Sequence, residues 1–214
     1  MKILAFETAT EWCGAAYIIN GECSFIVEER IPRKHGELLP LYFEKLKKES
    51  GLKLNELDGI ALSIGPGSFT GLRIGLSFAK GLAFSQALPI IPVPTFKNML
   101  HQARKLEKKG YILLHSHGDN VYYQQYETEI NEIKLQGSPQ AGIWSAIWPK
   151  ISQQEIIHYG CKKLAPSGSK MIELHPTSKS AGLLAEMNFY KWAEKEPYFL
   201  IPEYISPFLP GTKS

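Results

Sequence analysis

Short apolar runs alternate with longer amphipathic stretches along the chain, a pattern that predicts strands separated by helices. Ile3 to Phe6 predicts a strand. Ala15 to Asn20 and Glu22 to Glu28 predict two more, joined by an Asn20-Gly21 hairpin turn. Glu37 to Ser50 has helical spacing, with Leu38, Leu39, Tyr42 and Leu46 on one face, Pro40 in the first turn, a Glu44 to Lys48 pair outside and Gly51 at the end. Ile60 to Ile64 is a run suited to a strand covered on both faces. Gly65-Pro66-Gly67 stops it, and Ser68 is placed to cap a helix from Phe69 to Phe84. Pro89, Pro92 and Pro94 mark a strand edge and turn, followed by a linking helix over about 96–109. Tyr111 to Leu114, Val121 to Tyr126 and Glu129 to Leu135 predict strands, with a hairpin through Asp119-Asn120. A helix near Ile151 to Tyr159, a strand near Met171 to Leu174 and a helix from Ser178 to Trp192 complete a second lobe. Trp144 and Trp148 are one helical turn apart, a spacing that suits a core.

Gly71, Gly75, Ala79 and Ala83 recur every four residues, so four small side chains share one face of the central helix. Each Gly inside a helix costs about 1 kcal/mol against Ala, and Gly71, Gly75 and Gly81 therefore call for a close backbone approach. Two neighbours fit: this protein's own sheet, or a helix of a second subunit. The strand, glycine-rich turn and helix N-terminus also make a place suited to anions. The residues do not follow the G-x-x-x-x-G-K-[ST] phosphate loop or G-x-G-x-x-G.

Composition narrows the classes. With 214 residues the chain is one large domain or two small lobes, and 44% hydrophobic and 21% charged residues are ordinary for a globular protein. A net charge of +3 without a long basic cluster does not make a nucleic-acid binder by itself. Cys13, Cys23 and Cys161 form no C-x-x-C pair, which indicates neither a disulfide framework nor a zinc site. The apolar run after Met1 is too short for a signal peptide, and nothing approaches the roughly 20 residues of a membrane span, so a cytoplasmic location is expected.

The string GPGSFTGLR at residues 65–73, followed by Ile74-Gly75-Leu76 and Ala79-Lys80-Gly81-Leu82-Ala83, closely resembles the signature of the bacterial TsaB family, also called YeaZ. MKILAFETAT resembles the family's opening strand and D-T-S-T turn. His35-Gly36-Glu37-Leu38-Leu39-Pro40 resembles its H-S-x-x-L-x-P segment, Leu88 to Thr95 its next strand, and Pro202-Glu203-Tyr204 its closing P-x-Y. The resemblance implies a two-lobed α/β fold of the actin, sugar kinase and heat-shock chaperone ATPase kind (ASKHA, ribonuclease H-like), with mixed sheets flanked by helices. Residues 1–105 with the tail 195–214 would form the first lobe and 106–194 a smaller second lobe.

It further implies a partner subunit without catalytic activity of its own in synthesis of threonylcarbamoyladenosine at position 37 of tRNA. Such a subunit stabilises a catalytic TsaD-like transferase, assembles with a TsaE-like ATPase and meets tRNA mainly through the complex; alone it can pair with a second copy. The expected partner face is Leu38, Leu39, Tyr42, Leu46, Gly71, Gly75, Ala79 and Ala83, so that a bulky residue at 75 would spare the fold and weaken the partner contact. Glu7, Thr8, Thr10, Gly65, Gly67, Ser68 and Thr70 are expected as vestigial phosphate loops, with weak ATP or ADP binding shared with partners and no required cofactor. Glu7 stands where the family usually has Asp, and His115-Ser116-His117 where it has Asp-Ala-Arg. The catalytic relative's H-x-x-x-H metal pair has no counterpart here, so no metal site is expected. The alternatives are an ATP-dependent phosphotransferase or hydrolase using the Glu7 and Gly65 turns, which would need a metal-binding acid in each lobe, and a glycoprotease-like peptidase.

Overall fold

The computed structural model describes residues 1–103, 106–129 and 132–205. The chain divides into two compact units, Met1–Lys105 with Leu174–Pro202, and Leu106–Glu173 with the tail from Glu203. In the first, β1 (Lys2–Glu7), β2 (Trp12–Ile19) and β3 (Glu22–Arg30) form an antiparallel meander. Asn20 and Gly21 both take positive φ, 49° and 80°, the geometry that matches strand twist in a two-residue hairpin. β4 (Gly59–Gly65) runs parallel to β1, and β5 (Ile90–Pro94) runs parallel to β4 at the edge, giving the order β3-β2-β1-β4-β5. The edge position accommodates Pro92 and Pro94, which lack N–H donors.

Period-two alternation sorts the side chains of this sheet onto two cores. Leu4, Phe6, Ala15, Tyr17, Ile60 and Leu62 face α1 (His35–Ser50) and α2 (Phe69–Gln86). Ile3, Ala5, Ala16, Ile18 and Ala61 face the other way, onto α5 (Ser178–Met187), with α3 (Thr95–Leu100) and α4 (Trp144–Ile151) preceding it in the chain. The small residues on that face let α5 sit close: a methyl group on Gly182 would lie 3.0 Å from Ala5 Cβ. Thr177 caps α5 by accepting the Ser180 N–H at 3.1 Å, and α6 (Phe189–Trp192) follows.

The expected assignment of 178–192 to the second lobe is therefore corrected. Ala181 and Ala185 are buried against the first sheet, where alanines allow a helix to approach a sheet that a bulkier face would hold off. The linking helix expected over 96–109 is the short α3, and the next strand already starts at Lys109; residues 104–105 lie outside the described ones. On α1, Glu44 meets Lys47 at 4.0 Å rather than Lys48.

The second unit holds β6 (Lys109–His117), β7 (Asn120–Glu129) and β8 (Glu132–Ile143) as a meander, then α4, β9 (Glu155–Tyr159) and β10 (Ile172–Glu173), in the order β10-β9-β6-β7-β8. The stretch expected as a helix at 151–159 is mostly β9. Its Ile156 and Ile157 are both buried and Ile157 pairs with Ile112, so two β-branched neighbours fill opposite faces of a covered sheet. Trp144 is buried in the core of this unit and stacks on Trp148 at 4.9 Å between centroids. Among the described residues no helix is long and apolar enough to cross a membrane.

Candidate functional site

The two turns singled out in the sequence come together at the C-terminal ends of β1 and β4. Ser68 N donates to Ala9 O at 2.7 Å, and a methyl group on Gly67 would lie 2.5 Å from the same carbonyl. Methyl groups on Gly71 and Gly75 would lie under 3.0 Å from Thr8 O and Thr8 Oγ1 respectively. Gly71 and Gly75 thus let this helix ride directly over the β1–β2 turn of its own chain, whereas a methyl group on Gly81 would meet nothing within 4 Å. Ser68 caps the helix as expected, its hydroxyl accepting the Gly71 N–H at 3.2 Å. Thr70 lies exposed in the first helical turn.

Glu7 is fully buried at the centre of this joint. Its Oε1 accepts the Ala9 N–H at 2.6 Å, and its Oε2 is bonded by Ser63 Oγ and by Asn98 Nδ2 at 2.8 Å. Asn98 also donates to Thr177 O and accepts the Thr177 N–H, both at 3.0 Å. One side chain therefore ties β1, β4, α3 and the start of α5. Burial pushes the Glu7 carboxyl from 4.5 up to about 8, against the pull of the Ser63 and Ala9 donors. Near pH 7 it holds its proton, and a neutral acid is a poor cation ligand. Thr10 Oγ1 accepts the Trp12 N–H at 3.2 Å, whereas the buried Thr8 Oγ1 and Thr95 Oγ1 have no hydrogen-bond partner. The N–H groups of Ala9, Trp12, Ser68 and Gly71 are all engaged inside the joint.

A second acid, Glu28 on β3, reaches the first turn of α5, where its Oε2 accepts from Ser178 N at 2.6 Å and Ser178 Oγ at 2.7 Å. Burial raises its carboxyl too, and these two donors oppose the shift. Sequence reasoning missed this contact because 150 positions separate the partners. The histidines are dispersed. His35 lies 3.3 Å from Trp12 O, His175 stacks on Trp12, and His158 accepts the Cys161 N–H. Among the described residues no group of three His, Cys, Asp or Glu side chains is arranged to hold a metal ion.

The expected partner face needs correction. Leu39, Tyr42 and Leu46 are buried in the core under α1, and Gly71, Gly75, Ala79 and Ala83 are buried under α2. Only Leu38 is partly open. Amphipathic helices turn their apolar and small faces inward when a sheet of their own chain is there to cover, so those residues are taken up by this chain's own core and do not form an exposed face, Leu39 alone of them also reaching the floor of a surface groove. A substitution such as Gly75→Leu would strike Thr8, contrary to the expectation that it spares the fold. What the two helices do present outward is a shallow groove of about 380 Å³ lined by Gly36, Leu39, Pro40, Arg73, Ile74, Ser77 and Phe78. The Arg73 guanidinium lies over the Phe69 ring at 3.6 Å. The residues flanking the small-residue stripe, Ile74 one before Gly75 and Ser77 two after it, were the available signal.

Residues 26–138 match the sequence model of a family described as TsaD: tRNA N6-adenosine threonylcarbamoyltransferase. The chain is 31% identical to the tRNA threonylcarbamoyladenosine biosynthesis protein TsaB of Escherichia coli (strain K12) over 168 residues, 77% of this chain and 68% of that protein. It is 34% identical to the TsaB protein of Haemophilus influenzae over 131 residues, 60% of this chain and 55% of that protein, so the match spans about half of the latter's length. Among solved structures, YeaZ from Pseudomonas aeruginosa has a TM-score of 0.77 at 25% identity, covering 95% of this chain and 99% of that one. The activator of the 2-hydroxyisocaproyl-CoA dehydratase from Clostridium difficile, solved with bound ADPNP, has a TM-score of 0.51 at 9% identity, a likeness of fold alone, over 89% of this chain and 96% of that one. The two mixed sheets with their flanking helices are of the actin-like class. Sequence and fold agree, and the chain belongs to the TsaB (YeaZ) family.

Proposed function

We propose that this chain is a partner subunit in the synthesis of threonylcarbamoyladenosine in tRNA, without catalytic activity of its own, and that it binds and stabilises a TsaD-like transferase through the groove between α1 and α2. The names of its relatives supply the pathway. The observation that carries the docking role is the groove itself: Ile74 and Phe78 are apolar and only partly covered, and Pro40 and Gly36 keep the opposite wall low. Helices with such exposed ridges pack against helices of a second protein. The residues of the groove have no part in the Glu7 joint, so the surface can bind without disturbing the fold.

The Glu7 and Gly65 turns serve, on this reading, as a structural joint between β1, β4, α2 and α5, because their carboxyl and four of their N–H groups already have partners. An ATP-dependent phosphotransferase or hydrolase would need these groups free for phosphate or metal. Association with a TsaE-like ATPase, and any nucleotide or tRNA contact, belongs to the assembled complex, and a second copy of this chain would compete for the same groove when the transferase is missing. The test is co-purification with the transferase from the native cells, comparing the natural chain with Ile74→Asp and Ser77→Arg. Ser77 is exposed and its variant keeps the fold, Ile74→Asp gives up part of a core contact and is compared once circular dichroism shows it folded, and both lose the transferase. Retention of the transferase by both folded variants would remove the groove from the proposal.

A further inference from the structure

The second unit carries a cavity that the partner role does not use. It has a volume of about 290 Å³, near the lower end of the range of small-molecule sites. An irregularity in strand pairing creates it. Tyr123 pairs with Gln140 and Gln125 with Gln136, so β7 places Gln124 alone opposite Gly137, Ser138 and Pro139 of β8. Gly137 makes the detour at φ +62°, and Gln124, itself buried, fixes it by donating from Nε2 to Gly137 O at 2.8 Å. Bulges of this kind bend a strand away from its neighbours and commonly border binding sites. Here the bend opens a space between β8 and the last turn of α4.

The chemistry of the wall is consistent. Tyr111, Tyr123, Gln125, Gln140 and Ser138 offer neutral groups that both donate and accept, and Ile147 and Ile151 supply an apolar floor. Gln136 is partly committed, donating to Glu127 at 3.2 Å outside the lining. Among the described residues Lys150 is the one charged residue of the wall, and no described carboxylate pairs with it. Amides and phenols match a ring whose edge carries donors and acceptors, while an unpaired ammonium matches an anion.

We propose that this cavity binds a small phosphorylated ligand with a hydrogen-bonding ring, of the nucleoside monophosphate class, with Lys150 on the phosphate and the glutamines and tyrosines on the uncharged part. The same chemistry is presented by a free mononucleotide and by an unpaired residue of an RNA strand. The inference stands on the cavity alone and does not depend on the docking groove. The experiment is calorimetric titration of the full chain with AMP, GMP, CMP and UMP, with the matching nucleosides and inorganic phosphate as partial probes. Lys150→Met and Gln140→Ala test the site, and Lys163→Met serves as a basic-to-neutral control outside the cavity wall. Saturable binding of at least one monophosphate is expected, weakened roughly tenfold or more by Lys150→Met or by removal of the phosphate, and unchanged by Lys163→Met. Displacement of the bound nucleotide by an unstructured RNA would assign the site to an RNA residue, and failure to displace it to the free nucleotide. Absence of binding by all four monophosphates, or equal binding by folded Lys150→Met, overturns the proposal.

Discussion

Three glycines of α2 allow one substitution to be read in three environments. A methyl group added at Gly81 would have nothing within 4 Å, one at Gly75 would meet the side chain of Thr8, and one at Gly71 would meet the Thr8 carbonyl. Gly→Ala inside a helix is worth about 1 kcal/mol in backbone terms. Gly81→Ala keeps that gain, which corresponds to roughly 2–4 °C in Tm for a chain of this size. At Gly75 the gain is opposed by an overpacking cost of about 1–3 kcal/mol. Thr8 Cβ and Cγ2 would stand at an acceptable 3.4 Å, so the hydroxyl alone makes the clash, and Gly75→Ala should come out neutral to about 2 kcal/mol destabilised. Gly71→Ala should be the worst of the three, because a backbone carbonyl in a turn held by Glu7 and Ser68 cannot rotate away. Thr8→Ala removes the hydroxyl, which is buried without a partner, and should rescue Gly75→Ala but not Gly71→Ala. The coupling expected between positions 8 and 75 is about 1 kcal/mol or more. Urea unfolding followed by far-ultraviolet circular dichroism reads all of these. Equal stabilisation at 71, 75 and 81, or no coupling between 8 and 75, would refute the packing of α2 on the β1–β2 turn.

Glu7 predicts a pH dependence of known sign. Its folded pKa of about 8 lies above the unfolded 4.5, so the folded state keeps a proton that the unfolded state has lost, and stability falls as pH rises through this window. The slope is at most about 1.4 kcal/mol per pH unit. It is best measured from pH 7.5 to 8.5, above the unfolded histidine range of about 6.5, because His101 and His158, lowered by burial in the folded state, contribute a slope of opposite sign until their unfolded forms have lost their protons; Glu7→Gln should flatten the fall, and an unchanged slope would place the proton elsewhere. Ser178→Ala removes one of the two donors to Glu28 and should cost about 1–3 kcal/mol, checked by the same unfolding assay. In the groove, the exposed Ser77→Arg should leave the unfolding midpoint nearly unchanged and Ile74→Asp, which gives up part of a contact with the core, should lower it, while both abolish recovery of the transferase. In the second unit, Lys150→Met should weaken nucleoside monophosphate binding roughly tenfold without moving the midpoint.

Local patterns were enough for the elements from β1 to β5. Alternating apolar residues, the Asn20-Gly21 turn and the Ser68 cap each act within a few residues, so their physics can be read off the chain, and the GPGSFTGLR string carried the family. The sequence also required a reason for Gly71 and Gly75 and left two neighbours open. Only the tertiary structure decided between them, because which surface covers a small-residue stripe depends on how β1 pairs with β4 and where that brings Thr8. The same holds for α5, whose alanines could serve either sheet until the opposite face of the first one proved to be lined by Ala5, Ala16 and Ala61. Ile156 and Ile157 suited a helix or a buried strand, and pairing with β6 chose the strand. Glu7, read as a phosphate-loop acid, became a buried structural post once Ser63 and Asn98 bonded it from 56 and 91 positions away, Asn98 being held in turn by Thr177, and it is the burial, against the pull of the hydrogen-bond donors, that raises its pKa. Periodicity and turn chemistry are local free energies and are written in the sequence; burial, pairing and the charge state of an acid depend on which distant segments exclude water from it, and only the folded chain sets that.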